Sequence, residues 1–142
     1  MRRGENSPRL AVTFSRRRGI RKSLIVFFMH EVSIALSLLD VVVNKCQEEG
    51  YHSIDSVTVR VGKASGILPE AFTFALEVAK KDTIARDAEF IIEMVPLGGF
   101  CDGCGSHFEM EAAYLLECPF CASSSFKINK GYELEIVDME VN

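Results

Sequence analysis

No stretch of the chain approaches the ~20 apolar residues of a membrane span, so a membrane-crossing helix is not expected. No Gly-x-x-x-x-Gly-Lys-Ser/Thr loop occurs, and any nucleotide hydrolysis must belong to a partner. The sequence also lacks a Ser/His/Asp elbow, a Gly-x-Gly-x-x-Gly turn and a second His at metalloprotease spacing from His30, which leaves little support for a catalytic hydrolase or oxidoreductase. No internal repeat is evident. Acids are scarce in residues 1–28, with one against eight Lys/Arg, and cations are scarce afterwards, with eight against nineteen acids. The net charge of -4 therefore conceals a strongly acidic body. Such a body repels phosphates, and nucleic acid is not an expected partner.

What is present begins with cysteine. Four of the five cysteines form two Cys-x-x-Cys pairs, Cys101/Cys104 and Cys118/Cys121. Two such turns facing each other close a four-sulfur tetrahedral shell around Zn2+, with no position left for water or substrate. The site is structural rather than chemical. A disulfide pair and a thioredoxin-like redox motif are the alternatives, although a redox motif needs only one pair on a βαβ background. Gly103 and Gly105 relax the first knuckle and Pro119 stiffens the second. His52 and His107 read as ordinary surface or turn residues, since four thiolates are already available. Thiols arranged for zinc, with no export signal, point to a cytoplasmic protein.

At 142 residues and 48% hydrophobic, the chain suits one ordinary core with a small satellite module around the metal. Residues 1–28 look unlike the rest. Ser15-Arg16-Arg17 loosely resembles a twin-arginine signal, but the apolar run at 24–28 is too short and no small-residue cleavage site follows. A transit peptide suits the Arg and Ser content better. The reading adopted is a leader that is an upstream extension or disordered, with Met29 as the initiator.

From Met29 onward the expected fold class is α+β. A small three-stranded sheet with two helices carries an inserted four-cysteine, zinc-ribbon-like module. Apolar residues at Val32, Ala35, Leu38, Leu39, Val42, Val43 and Cys46 form one helical stripe over residues 31–49, with Gly50 as its stop and Cys46 as a core thiol. Residues 54–61 alternate as a half-buried strand. Pro69 and Glu70 open a second helix reaching about Lys81, with Phe72, Ala75, Leu76 and Ala79 inward and Phe74 and Val78 broadening its apolar surface. A second strand is expected over 88–95. Pro96 and Gly98-Gly99 mark a boundary, and a third strand starts at Tyr132, its phase shifting at Val137 through a bulge. The domains are accordingly 29–95 with 131–142, and a zinc-binding module at 96–130.

Several segments together resemble the HypA/HybF family of hydrogenase-maturation nickel metallochaperones. They are Met29-His30-Glu31-Val32-Ser33, Arg60-Val61-Gly62-Lys63-Ala64-Ser65-Gly66-Ile67-Leu68-Pro69-Glu70-Ala71-Phe72, the two cysteine knuckles, and Gly131-Tyr132-Glu133-Leu134. The resemblance covers the chain from Met29 to its end. It implies transport of Ni2+ toward a [NiFe]-hydrogenase precursor, with the maturation GTPase and the hydrogenase large subunit as partners. A homodimer is a further expectation, and no membrane is implicated.

The resemblance also implies that His30 is the nickel ligand, beside Met29 and Glu31. If Met29 is the free N-terminus, its amine, the His30 amide nitrogen and the His30 imidazole can close adjacent chelate rings, a donor set suited to square-planar Ni2+. The Glu31 amide offers a fourth nitrogen, and its carboxylate either tunes the site or meets a partner. Binding should weaken as pH falls toward the His range. A retained leader would convert the Met29 amine into a peptide nitrogen and weaken the site. The competing readings are a surface His in a first helical turn and, for the whole chain, a zinc-ribbon adaptor or regulatory module that binds protein or nucleic acid and never uses nickel.

Overall fold

The computed structural model describes residues 31–142. The leader, Met29 and His30 lie outside the described residues. Helix α1 (Glu31–Glu48) is followed by strand β1 (Ile54–Gly62), helix α2 (Pro69–Ala79), a 3-10 turn (Lys80–Asp82) and strand β2 (Glu89–Val95). The remaining strands are β3 (Leu97–Cys101), β4 (His107–Met110), β5 (Phe126–Lys130) and β6 (Leu134–Val141). They form two three-stranded sheets, ordered β2-β1-β6 and β4-β3-β5.

In the first sheet β1 runs parallel to β2 and antiparallel to β6. Its inward face is set by alternation. Val57, Val59 and Val61 stand opposite Phe90, Ile92 and Met94 on one side and Met139, Ile136 and Leu134 on the other. Both helices pack on this face. Ile34, Ala35, Leu38, Leu39, Val42 and Cys46 of α1 join Phe72, Ala75 and Leu76 of α2 in one core cluster. The stripe on α1 lies one residue round from expectation at its start: Ile34 is buried and Val32 is 62% exposed. On α2 the added apolar width points outward, with Phe74 72% exposed. The helix ends at Ala79 rather than Lys81 because the chain tightens into the 3-10 turn, where the Thr83 hydroxyl donates to the Lys80 carbonyl at 2.8 Å. Burial pushes the Cys46 thiol pKa up, as suits a core thiol.

The expected bulge is present. Thr58 pairs with Asp138 and Val59 with Ile136, leaving Val137 as the extra residue. That one residue lets Leu134 and Ile136 before it and Met139 and Val141 after it all face the core. The strand starts at Leu134; Tyr132 is exposed in the turn before it.

The second sheet was not anticipated. The Gly98-Gly99 pair lies inside β3, buried, with only Pro96 between β2 and β3. A side chain on Gly99 would overlap the Lys127 carbonyl of β5, so the glycines admit a neighbouring strand at close range. Small apolar contacts complete this sheet, including Phe108 edge-on to Phe126 with centroids 6.0 Å apart. The two sheets meet at a backbone junction. Gly62 donates to the Glu133 carbonyl at 2.7 Å and Ala64 to the Gly131 carbonyl at 2.7 Å. A Cβ on Gly62 would overlap the Gly131 carbonyl, while Gly131 has φ +113 and lies against Leu97. An ion pair between Lys63 and Glu111 spans the same junction.

Candidate metal centre

Strand β3 delivers Cys101 at its end, and the chain turns through Cys104 before returning as β4. The second knuckle, Cys118 to Cys121, lies in the long connection between β4 and β5. The two knuckles are built alike. In each, the residue four after the first cysteine donates its N–H to that cysteine's carbonyl, Gly105 to Cys101 and Ala122 to Cys118, both at 2.9 Å. The first cysteine's N–H in turn donates to a serine carbonyl, Cys101 to Ser106 at 3.0 Å and Cys118 to Ser123 at 2.8 Å.

Both turns require positive φ at the equivalent position, +70 at Gly105 and 59 at Ala122. Ala122 is the only non-glycine residue with positive φ among the described residues. The sequence carries the same likeness: Cys101-x-x-Cys104-Gly105-Ser106 and Cys118-x-x-Cys121-Ala122-Ser123 share one pattern.

The knuckles bring all four Sγ atoms within 4.8 Å of one another. Cys101 and Cys121 are 3.6 Å apart and Cys104 and Cys118 are 3.8 Å apart. Zn–S bonds of about 2.3 Å in a tetrahedron place neighbouring sulfurs about 3.8 Å apart, so the donor set fits zinc by both chemistry and spacing. Cys101 and Cys118 are buried, whereas Cys104 and Cys121 face solvent. Hydrogen bonds from Ser106 lower the Cys104 pKa to about 7. At Cys121 the backbone hydrogen bond from Ser123 lowers the pKa, but desolvation and the hydrogen bonds to the other three thiols override it and push the value up to about 12. A bound cation removes this conflict by deprotonating its thiol ligands outright. His107 stays out of the cluster, its ring tilted against Phe100 with centroids 5.0 Å apart. His52 is exposed.

Of the residues expected at the nickel site, Glu31 is the one described. It opens α1, where a carboxylate favours the helix N-terminus. Its Oε1 accepts a hydrogen bond from the backbone N–H of Leu68 at 3.2 Å, which brings the starts of the two helices together.

The sequence pattern of HypA, described as a metallochaperone of hydrogenase and urease nickel incorporation, matches residues 29–141. The chain belongs to the HypA family. It is 40% identical over 113 residues to the hydrogenase maturation factor HypA of Pelodictyon phaeoclathratiforme, covering 80% of this chain and 96% of that protein. It is 37% identical over 108 residues to HypA of Chlorobaculum parvum, covering 76% and 95%. The solution structure of the nickel metallochaperone HypA from Helicobacter pylori matches with a TM-score of 0.58 at 25% identity, over 80% of this chain and 97% of that one. A second HypA solution structure gives a TM-score of 0.60 at 25% identity, over 81% of this chain and 98% of that one. As a HypA, the chain is a nickel metallochaperone of hydrogenase maturation with a structural zinc site. The zinc-ribbon adaptor reading is not favoured. Among the described residues no helix is long and apolar enough to cross a membrane.

Proposed function

We propose that nickel is carried at the head of α1 by His30, Met29 and Glu31, while Cys101, Cys104, Cys118 and Cys121 hold the zinc. The observation that carries this reading is the family match, which begins at Met29, two residues before the helix. In this reading the Met29 amine, the His30 amide nitrogen and imidazole, and the Glu31 amide supply an in-plane nitrogen set, which square-planar Ni2+ prefers. The hydrogen bond from Leu68 to the Glu31 carboxylate supports a fixed base for that segment.

The protein is a carrier and not an enzyme. Its sheets divide the labour between a nickel-binding unit, residues 29–95 with 131–142, and a zinc-binding module, residues 96–130. It passes Ni2+ in the cytoplasm to the maturation GTPase and the hydrogenase large subunit. The test is native mass spectrometry of the zinc-loaded protein with one equivalent of Ni2+. His30→Ala should abolish nickel uptake and retain one zinc, and undiminished nickel uptake by this variant would refute the site. A protein starting at Met29 should bind nickel more tightly than one extended by the leader, and equal affinities would exclude the amine as a ligand.

A further inference from the structure

The helices cover one face of the first sheet, and the other face is bare among the described residues. Parallel strand pairs such as β1 and β2 are ordinarily covered on both faces. The register makes the bare face a grid of three rows: Glu89–Ser56–Glu140, Ile91–Thr58–Asp138 and Glu93–Arg60–Glu135. Five of its nine residues are acids and one is a cation. Arg60 is committed to Glu93, its Nε 3.2 Å from the carboxylate. Glu89, Glu135, Asp138 and Glu140 therefore share the face with no other Lys or Arg on these strands. The Val137 bulge creates this arrangement, since it returns Asp138 and Glu140 to the outer face while Met139 and Val141 stay in the core.

Two further observations bear on what this face accepts. Asp138 Oδ1 is buried and has no hydrogen-bond donor among the described residues, which leaves that carboxylate with an unmet acceptor. At the other end of the middle row, across Thr58, Ile91 is 40% exposed and offers an apolar contact. We propose that the bare face of the first sheet docks a Lys/Arg-rich polypeptide segment of a partner protein. The charge of the face selects cations and repels nucleic acid. Ammonium or guanidinium groups would supply donors to Asp138 and Glu135, and the aliphatic stems of the same side chains would lie over Ile91 and Thr58.

The experiment titrates a deca-arginine peptide into the full, zinc-loaded chain, followed by amide NMR shifts and calorimetry. Shifts should concentrate on Ser56, Thr58, Arg60, Glu135, Asp138 and Glu140. The triple variant Glu135→Gln, Asp138→Asn, Glu140→Gln should lose about tenfold or more in affinity, whereas Asp40→Asn, Asp82→Asn, Glu117→Gln, an equal charge change on other surfaces, should lose less than about twofold. If the first triple variant fails to fold, Thr58→Lys, which sets a cation in the middle of the grid, should cause the same loss. No binding, equal losses in the two triple variants, retained affinity in Thr58→Lys, or shifts centred elsewhere would each overturn the proposal.

Discussion

The two sheets have the same number of strands and are held together by different means. The β2-β1-β6 sheet lies under two helices and closes a continuous apolar core around Phe72, Leu38, Val57, Val59 and Ile136. The β4-β3-β5 sheet has no described helix over it, and its buried apolar side chains reduce to Leu97 and Phe108 beside Cys101 and Cys118. An apolar core and a metal centre thus solve the same problem at different scales, because a unit this small buries too little surface to offset chain entropy. The first sheet should survive loss of the metal and the second should not.

The largest effect expected from breaking this comparison is at zinc. Cys118→Ser, or removal of the ion by a chelator, should forfeit binding energy on the order of 10 kcal/mol. Amide NMR should then show collapse of the signals of β3, β4 and β5 while those of α1, α2 and β1 stay dispersed. A second sheet that remains ordered without metal would remove the contrast. Phe72→Ala probes the other side. It should cost about 3–5 kcal/mol in urea unfolding, with the zinc content of the folded protein unchanged. Concerted loss of zinc at native conditions would mean the two sheets fold as one.

The junction between them is tested by Gly62→Ala, whose new methyl overlaps the Gly131 carbonyl. Forcing the strands apart there should cost about 1–3 kcal/mol and disturb residues of both sheets, visible as shifts at Ala64, Leu97 and Glu133. Effects confined to β1 would show that the contact is incidental. The smallest change sharpens the likeness between the knuckles. Ala122→Gly should stabilise zinc retention by up to about 1 kcal/mol and Gly105→Ala should weaken it by a similar amount, since both positions hold positive φ. Chelator competition measures both, and effects of the same sign would contradict the equivalence.

Legibility followed the range of the interactions. The zinc ligands were readable because two cysteines three residues apart already share a turn, and the Val137 bulge because the apolar phase changes there. Val32 is exposed although it falls in the α1 stripe, because a helical period locates a stripe but not its edges, which depend on what packs beside it. The strands of the second sheet were missed because Leu97–Cys101 is glycine-rich and Phe126–Lys130 is short and lysine-bearing, so neither stands out before its partner is known.

The amino-acid sequence alone determined the donor set for zinc, the likeness to HypA and the succession of helices and strands in the first sheet, each carried by short runs of residues that can be read one run at a time. Only the tertiary structure decided that Gly62, Leu97 and Gly131 form one junction and that acids of β2 and β6 flank Arg60 on the sheet face opposite the helices. Those neighbours are tens of residues apart, and their meeting depends on strand order and register, which hydrophobic alternation restricts but does not select.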